Sequence, residues 1–327
     1  MGGNVLSAVA FFTSVQEQLH RVEQRIREQA GEEQHPDLRA ALEHLLASGG
    51  KRVRPTLGLL VGNLLGAPEP QLITLGAAVE LLHTATLVHD DLIDGALLRR
   101  GIPTLNARWS PAATVLTGDF LFARAAGLAA ETNHLPLMKL FAETLAQIVG
   151  GELTQMFSAR GVIDRGNYDR RIYAKTASLF EMSALAAAMI ATEDEESRQA
   201  MKSFGYGVGM AFQIVDDILD FSGDAAAVGK PLGSDLLSGL VTMPAILYSE
   251  TYPEDPDVLG LPTGAWTNAD HMSRLVDNIR HSDAIDRAMQ EAVLHIDRAL
   301  WALEFLQPTP EREALQDLAH YVVDRRS

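Results

Sequence analysis

Three carboxylates and two guanidiniums crowd into Leu87–Asn106, LVHDDLIDGALLRRGIPTLN: Asp90, Asp91 and Asp94, then Arg99 and Arg100. On a helix Asp90 and Asp94 lie one turn apart on one face, where like charges repel. Such a pair calls for a cation, and hard carboxylate oxygens suit Mg²⁺. Mg²⁺ keeps several waters and is usually shared with substrate phosphates. A diphosphate is therefore expected beside it, with the arginines as forked donors. The Asp-Asp-x-x-Asp spacing recurs in Phe212–Gly223, FQIVDDILDFSG, as Asp216, Asp217 and Asp220. A single motif could be a solvated acidic helix face. Two in apolar surroundings, TLVHDDLID and FQIVDDILD, argue against that, because burying six carboxylates without cations is prohibitive.

A second group of charges is basic. Ser48–Pro55, SGGKRVRP, sets Lys51, Arg52 and Arg54 beside a restarting helix, which makes an anion site. The plainer alternative is a solvated basic turn. His83 lies seven residues before Asp90, two turns up the same face, whereas His89 reads as structural. Lys175 and Thr176 precede the apolar run Leu179–Ile190, and a lysine there either snorkels or faces an anion. Gly205, Gly207 and Gly209 sit inside a helical pattern, which predicts close helix packing, not a phosphate loop.

The elements that carry these residues are helical. The chain has 327 residues, 47% of them hydrophobic, enough for one large α-helical domain or two smaller ones. Alanine and leucine recur at helical spacing and strand signals are nearly absent. Helices are predicted over Phe11–Glu32, Leu38–Ala47, Thr56–Leu65, Leu72–Leu98, Ala112–Glu131 and Pro136–Arg160, the last carrying Glu152 and Gln155. They continue over Tyr168–Thr192, Glu195–Asp220, Val241–Ser249, His271–Arg280 with Asp270 as N-cap, Asp283–Phe305 and Glu311–Val323. Thr56–Leu65 is almost wholly apolar and should be central. Ser222–Gly239, with Lys230 and Asp235, and Thr251–Ala269 read as loops. No domain boundary is visible, so residues 1–327 are read as a single domain.

Composition excludes several functions. A formal charge of −16 without a basic stripe argues against nucleic-acid binding. The absence of cysteine rules out disulfides, a thiol nucleophile and cysteine-bound zinc, and is compatible with a reducing cytoplasm. The opening MGGNVLSAVAFF lacks a basic n-region, and Leu6 stands where myristoylation needs Ser or Thr. No apolar run approaches the roughly 18 residues of a membrane span, so none is expected.

GGKRVRP, LVHDDLIDGALLRRGIPTLN, YAKTASLF, AFQIVDDILDFSGD and GKPLGSDL resemble, in this order, the motifs of trans-prenyltransferases, the polyprenyl diphosphate synthases. The terminal YVVDRRS also resembles the end of many members. The resemblance implies an all-α bundle around a deep apolar cavity, a homodimer, cytoplasmic location, and head-to-tail condensation of an allylic diphosphate with isopentenyl diphosphate. It implies Mg²⁺, about three ions per site, with Mn²⁺ able to substitute. Asp90, Asp94 and Asp216 match the residues that hold the metal on the allylic diphosphate, with Asp91, Asp217 and Asp220 as further ligands or supports. Arg99, Lys175, Thr176, Gln213 and Lys230 match contacts to that diphosphate. Lys51, Arg54, His83 and Arg100 match the isopentenyl diphosphate site. One departure stands out: after GSDL many members read EGK, but here Leu240 replaces the lysine.

In such a site the growing product runs away from the metal along the first-motif helix. Ala85 and Thr86, five and four residues before Asp90, would not block it as a large aromatic would. A product longer than C20 is expected, with a geranylgeranyl (C20) synthase as the alternative. A class I terpene cyclase would share the metal chemistry but has no use for Lys51, Arg54 and His83. Squalene-type synthases have different acidic motifs, and regulatory subunits generally lose aspartates that are all intact here. Transient membrane contact would serve only lipid release. Ala85→Phe is expected to shorten the product. An unchanged product length, read by sizing dephosphorylated products, would refute this path.

Overall fold

The computed structural model describes residues 11–29, 31, 36–47, 50–99, 101–158, 160–222 and 232–325. These residues are almost entirely helical. The helices are α1 (Gln16–Glu28), α2 (Pro36–Ala47), α3 (Val53–Leu65), α4 (Glu69–Ile93), α5 (Pro111–Glu131), α6 (Leu135–Phe157), α7 (Arg165–Ile172) and α8 (Ser178–Ala191). They continue as α9 (Glu195–Ser222), α10 (Ser234–Leu237), α11 (Met243–Thr251), α12 (Pro256–Gly260), α13 (Ala269–Arg280), α14 (Ala284–Trp301) and α15 (Pro310–Asp324). The one strand pair among the described residues is a small antiparallel hairpin, β1 (Leu98–Arg99) with β2 (Ile102–Pro103).

Local chemistry sets the starts and stops. Ser110 caps α5 by accepting from Ala113 N, with Pro111 at the first helical position. Asp164 caps α7 through Asn167 N. The α4 helix ends five residues short of the expected Leu98, because Gly95 follows Asp94 with φ +64°. Gly95 N donates to Leu92 O and Ala96 N to Asp91 O, the paired bonds of a Schellman stop. The expected N-cap Asp270 is corrected to Asn268, whose Oδ1 accepts from Asp270 N and His271 N. The expected loops are also partly ordered: Thr251–Ala269 contains α12 and two 3₁₀ turns, and Ser222–Gly239 contains α10.

The chain forms two compact units. The first comprises the described residues up to Leu145 with Leu179–Gly205 and Leu303–Leu318. Within it α4 packs on α1, α3 and α5. As expected, α3 is central: Val53 and the run Pro55–Gly62 are buried. The second unit comprises Ala146–Ser178, Tyr206–Ala302 and the described residues from Ala319 on. Within it α11 packs on α14.

The glycines of α9 serve packing. A Cβ on Gly205 would lie 2.7 Å from Phe180 O, and one on Gly207 would lie 2.6 Å from His295 O. Three helical segments are long and apolar enough to cross a membrane: Glu69–Ile93, Pro111–Glu131 and Arg165–Ala191. Their apolar windows are 67%, 39% and 72% buried inside the protein.

Candidate active site

The first motif occupies the C-terminal end of α4, the negative pole of the helix, with no basic residue in its last turn. Only Asp91 is buried, at 7% exposure; Asp90 is half-buried and Asp94, the C-cap, is exposed. Arg99 answers the buried charge. Its Nε and Nη2 reach Asp91 Oδ1 at 3.0 and 2.8 Å, a forked pair. The β1–β2 hairpin, which turns through Gly101 at φ +75°, holds Arg99 there. Arg99 is thus committed to Asp91 in this structure, and Arg100 lies outside the described residues.

Upstream on α4, His83 Nε2 lies 3.1 Å from Arg54 Nη1. Arginine can only donate, so Nε2 is the acceptor of this contact. Arg54 also lies over the Phe180 ring at 4.6 Å, and Ser183 Oγ donates to Arg54 O. Lys51 is exposed. Arg52 does not join an anion site. It adopts a left-handed φ of +48° and reaches Glu80 Oε1 at 2.6 Å and Glu23 Oε1 at 3.2 Å. The mainly buried pair with Glu80, on α4 three residues before His83, fixes this strained residue between Lys51 and Arg54. Ala85 is fully buried, and Thr86 Oγ1 donates to His83 O. His89 is structural as expected: it contacts Val115 O, and Gly118 leaves room for its ring.

The second motif repeats the arrangement at the end of α9, again without a basic residue in the last turn. Asp217, at 3% exposure, is the buried member. Its Oδ2 accepts from Tyr168 Oη at 2.7 Å and its Oδ1 from Gln213 Nε2 at 2.8 Å. Thr176 Oγ1 donates in turn to Gln213 Oε1 at 2.6 Å. Burial, then the nearby Asp235, push the Asp217 carboxyl up to about 7; Tyr168, Gln213 and Arg171 pull the other way. Burial and the Asp217 charge push the Tyr168 phenol well above its ordinary value. Asp220 accepts from Ser234 N, Ser234 Oγ and Asp235 N at the start of α10.

Asp216 is met by Arg325, whose Nη1 lies 2.8 Å from Oδ1. The Arg325 side chain is only 5% exposed, donates to Phe212 O and covers the Phe212 ring at 3.7 Å. Lys175 faces Glu152 at 2.7 Å from a π-helical turn, Tyr173–Ala177, between α7 and α8. Such wide turns often mark functional positions, and this one carries both Lys175 and Thr176. Lys230 lies outside the described residues.

The expectation of six buried carboxylates is therefore corrected to one buried member per motif. The others stay within reach of water, where ionisation is cheaper. Among the described residues no group of three His, Cys, Asp or Glu side chains is assembled to hold a metal. The donors are nonetheless all hard carboxylate oxygens, and Mg²⁺ typically takes one or two of these plus waters and substrate phosphates. The donor set fits that ion.

Sequence reasoning missed Tyr168, Glu80 and Arg325, the partner of Asp216. Tyr168 lies eight residues before Thr176, which offered a weak helical-spacing signal. Arg325 lies in the terminal YVVDRRS, whose resemblance to the end of many members was its signal, and Glu80 had none beyond charge.

The sequence profile of the polyprenyl synthetase family matches residues 35–275. The chain is 35% identical over 326 residues to a prenyl transferase of Synechocystis sp., covering 98% of this chain and 99% of that one. It is 36% identical to heptaprenyl diphosphate synthase component 2 of Geobacillus stearothermophilus, covering 97% and 98% of the two chains. A crystal structure of polyprenyl synthase from Caulobacter crescentus, complexed with calcium and isoprenyl diphosphate, superimposes with a TM-score of 0.90 at 33% identity, covering 98% of each chain.

Asp217 holds its proton more tightly in the fold than an unfolded aspartate near 3.9. Its contribution to stability is full below about pH 4 and is lost as pH rises through about 7. Metal-free Asp217→Asn should therefore melt several degrees above the parent at pH 8 and close to it at pH 4. Circular dichroism melts in EDTA would check this, and a pH-independent difference would refute it.

Proposed function

The chain belongs to the polyprenyl synthetase family of trans-prenyltransferases, and on that premise we propose that it condenses isopentenyl diphosphate head-to-tail with an allylic diphosphate. The proposed product is a trans-polyprenyl diphosphate longer than C20. The observation that carries this reading is the pair of aspartate motifs at two helix C-termini, each with one buried carboxylate. Helix poles of that sign are unsuited to so much negative charge without cations.

The chemistry accounts for the residue types. Breaking the allylic C–O bond leaves a carbocation and a diphosphate, so catalysis needs positive charge on the leaving oxygens. Bound Mg²⁺ supplies Lewis acidity there. We assign Asp90, Asp94 and Asp216 to holding it, with Asp91, Asp217 and Asp220 as further ligands or supports. Arg99, Lys175, Thr176, Gln213 and Lys230 are assigned to the allylic diphosphate. The π-helical turn presents Lys175 and Thr176 together, and Thr176 orients Gln213. Lys51, Arg54, His83 and Arg100 are assigned to isopentenyl diphosphate. The contact between His83 Nε2 and Arg54 Nη1 orients the guanidinium. The double bond of isopentenyl diphosphate then attacks the cation, and the departing diphosphate takes the proton. No nucleophilic triad is required.

We read residues 1–327 as one catalytic domain. In support, α6 and α9 each run through both units, and the family profile spans both. The three long apolar segments are read as core helices, in a cytoplasmic enzyme without a membrane span. A homodimer is supported by exposed Val149, Leu153, Met156 and Phe157 on α6, spaced along one side of the helix. Leu153→Glu is expected to give a monomer by sedimentation velocity, and an unchanged sedimentation coefficient would remove this stripe as the interface.

The deciding assay incubates the purified chain with Mg²⁺, farnesyl diphosphate and labelled isopentenyl diphosphate, then sizes the dephosphorylated products. A ladder ending at one length beyond C20 is expected. Asp90→Asn should lower kcat by at least about 10²-fold. Hydrocarbon lacking label would make it a cyclase. A second reading, dependence on a partner subunit, is favoured by the relative named as component 2 of its synthase. No turnover by the chain alone would support that reading.

A further inference from the structure

Among the described residues only two other than glycine have a left-handed φ, Arg52 and Asn133. Asparagine tolerates that region, whereas a long side chain stays there only if its surroundings hold it. Arg52 stands between Lys51 and Arg54. Whatever holds its backbone therefore also sets the directions in which those two cations leave the chain.

The hold is a three-way clamp. Arg52 Nη1 lies 2.6 Å from Glu80 Oε1 on α4, and Nε lies 3.2 Å from Glu23 Oε1 on α1. Nη2 donates to Leu46 O on α2 at 3.3 Å. The Arg52 side chain is 12% exposed and that of Glu80 6%, so this pair is little screened by salt. The Arg52 carbonyl accepts from Thr56 N at 3.0 Å and Thr56 Oγ1 at 2.7 Å, which ties the first turn of α3 to the same residue. One arginine thus joins α1, α2, α3 and α4 within the first unit.

Glu80 and His83 are three residues apart on α4 and share a face. Arg52 meets the first, and Arg54, two residues on, meets the second at 3.1 Å. The start of α3 is therefore fastened to α4 at two levels one turn apart. One level is a mainly buried pair of full charges; the other is a single contact between a guanidinium and a ring nitrogen. The charged level sets the register of the weaker one. We infer that Arg52 and Glu80 are positioning residues: their pair holds the left-handed turn that fixes Lys51 and Arg54 relative to His83, and it does so without touching substrate. The inference rests on the assignment of Lys51, Arg54 and His83 to isopentenyl diphosphate. None of Glu23, Leu46 and Glu80, which hold Arg52, is assigned to the allylic diphosphate, so only one of the two substrates should feel the loss of the clamp.

Steady-state kinetics of the full-length chain in Mg²⁺, varying each substrate in turn, test this. Glu80→Ala should raise KM for isopentenyl diphosphate at least about tenfold, with kcat and KM for farnesyl diphosphate within about twofold of the parent. Arg52→Lys keeps the charge, but one ammonium cannot reach Glu80, Glu23 and Leu46 O together, so the same constant should shift in the same direction. This variant carries the test if Glu80→Ala does not fold.

An unchanged KM for isopentenyl diphosphate in the folded variants would overturn the inference. So would a parallel rise in both KM values, or a fall in kcat alone, because a merely loosened fold would produce either. If the parent yields no product ladder, calorimetric titration with isopentenyl diphosphate decides. Binding that Arg52→Lys weakens at least about tenfold would sustain the clamp while sinking the condensation reading. Equal binding by parent and variant, or none by the parent, would overturn the clamp as well.

Discussion

The constraint on which the rest depends is negative charge gathered at the wrong end of a helix. Both α4 and α9 end in three aspartates, where the helix dipole is also negative and no lysine or arginine occupies the last turn. Positive charge must come from elsewhere in the chain or from outside it. The chain supplies some of it: Arg99 grips Asp91 from a hairpin, and Arg325 meets Asp216 from the end of the sequence. Those contacts leave Asp94 exposed at the end of α4 with the helix pole behind it. An arrangement that solved its electrostatics internally would not leave a carboxylate there. One that awaits a divalent cation and a diphosphate would.

The buried carboxylates differ in how they are satisfied. Asp91 is matched by a full charge, a forked guanidinium. Asp217 is held by a phenol and an amide, both neutral, and burial pushes its carboxyl up to about 7. The first is a fixed ion pair that shapes the end of α4. The second is a soft acid whose charge depends on what approaches it. Thr176, Gln213, Asp217 and Tyr168 form one chain of hydrogen bonds within the second unit. That chain links the π-helical turn that carries Thr176 to Asp217 through contacts of 2.6 and 2.8 Å.

Much of this was legible in the sequence because it rests on periodicity and short-range chemistry. The helices α3, α5 and α13 fall within a few residues of expectation, since apolar spacing, Pro111 and a polar cap mark them. The pairing of motifs with anion-binding segments was equally legible, because charge type and spacing are local facts. The misses are of two kinds. Short-range ones came from weighting the wrong residue: Gly95 ends α4 before Leu98, and Asn268 rather than Asp270 caps α13. Long-range ones could not be read at all. Arg52 looks like a third anion ligand until Glu80, on another helix, is seen to hold it. The partner of the buried Asp217 is equally distant, since Tyr168 lies 49 residues before it.

The replacement of lysine by Leu240 shows how a local departure can be answered at a distance. Leu240 lines the same cavity as Arg171, and Arg171 donates to the carbonyl of the adjacent Val241. The same guanidinium favours the charged form of Asp217, and Asp217 and Asp235 in turn favour the charge on Arg171. Arg171 brings positive charge to the surroundings of the second motif from α7. Burial opposes the charge on Arg171 and the nearby Asp217 favours it, while the Val241 carbonyl and the Tyr168 ring fix where the guanidinium sits. A planar, forked cation in place of a flexible ammonium also narrows the geometry of any oxyanion it can meet. Sequence motifs alone, which count residues at fixed positions, register the leucine only as an absence, whereas the structure sets Arg171 close to it.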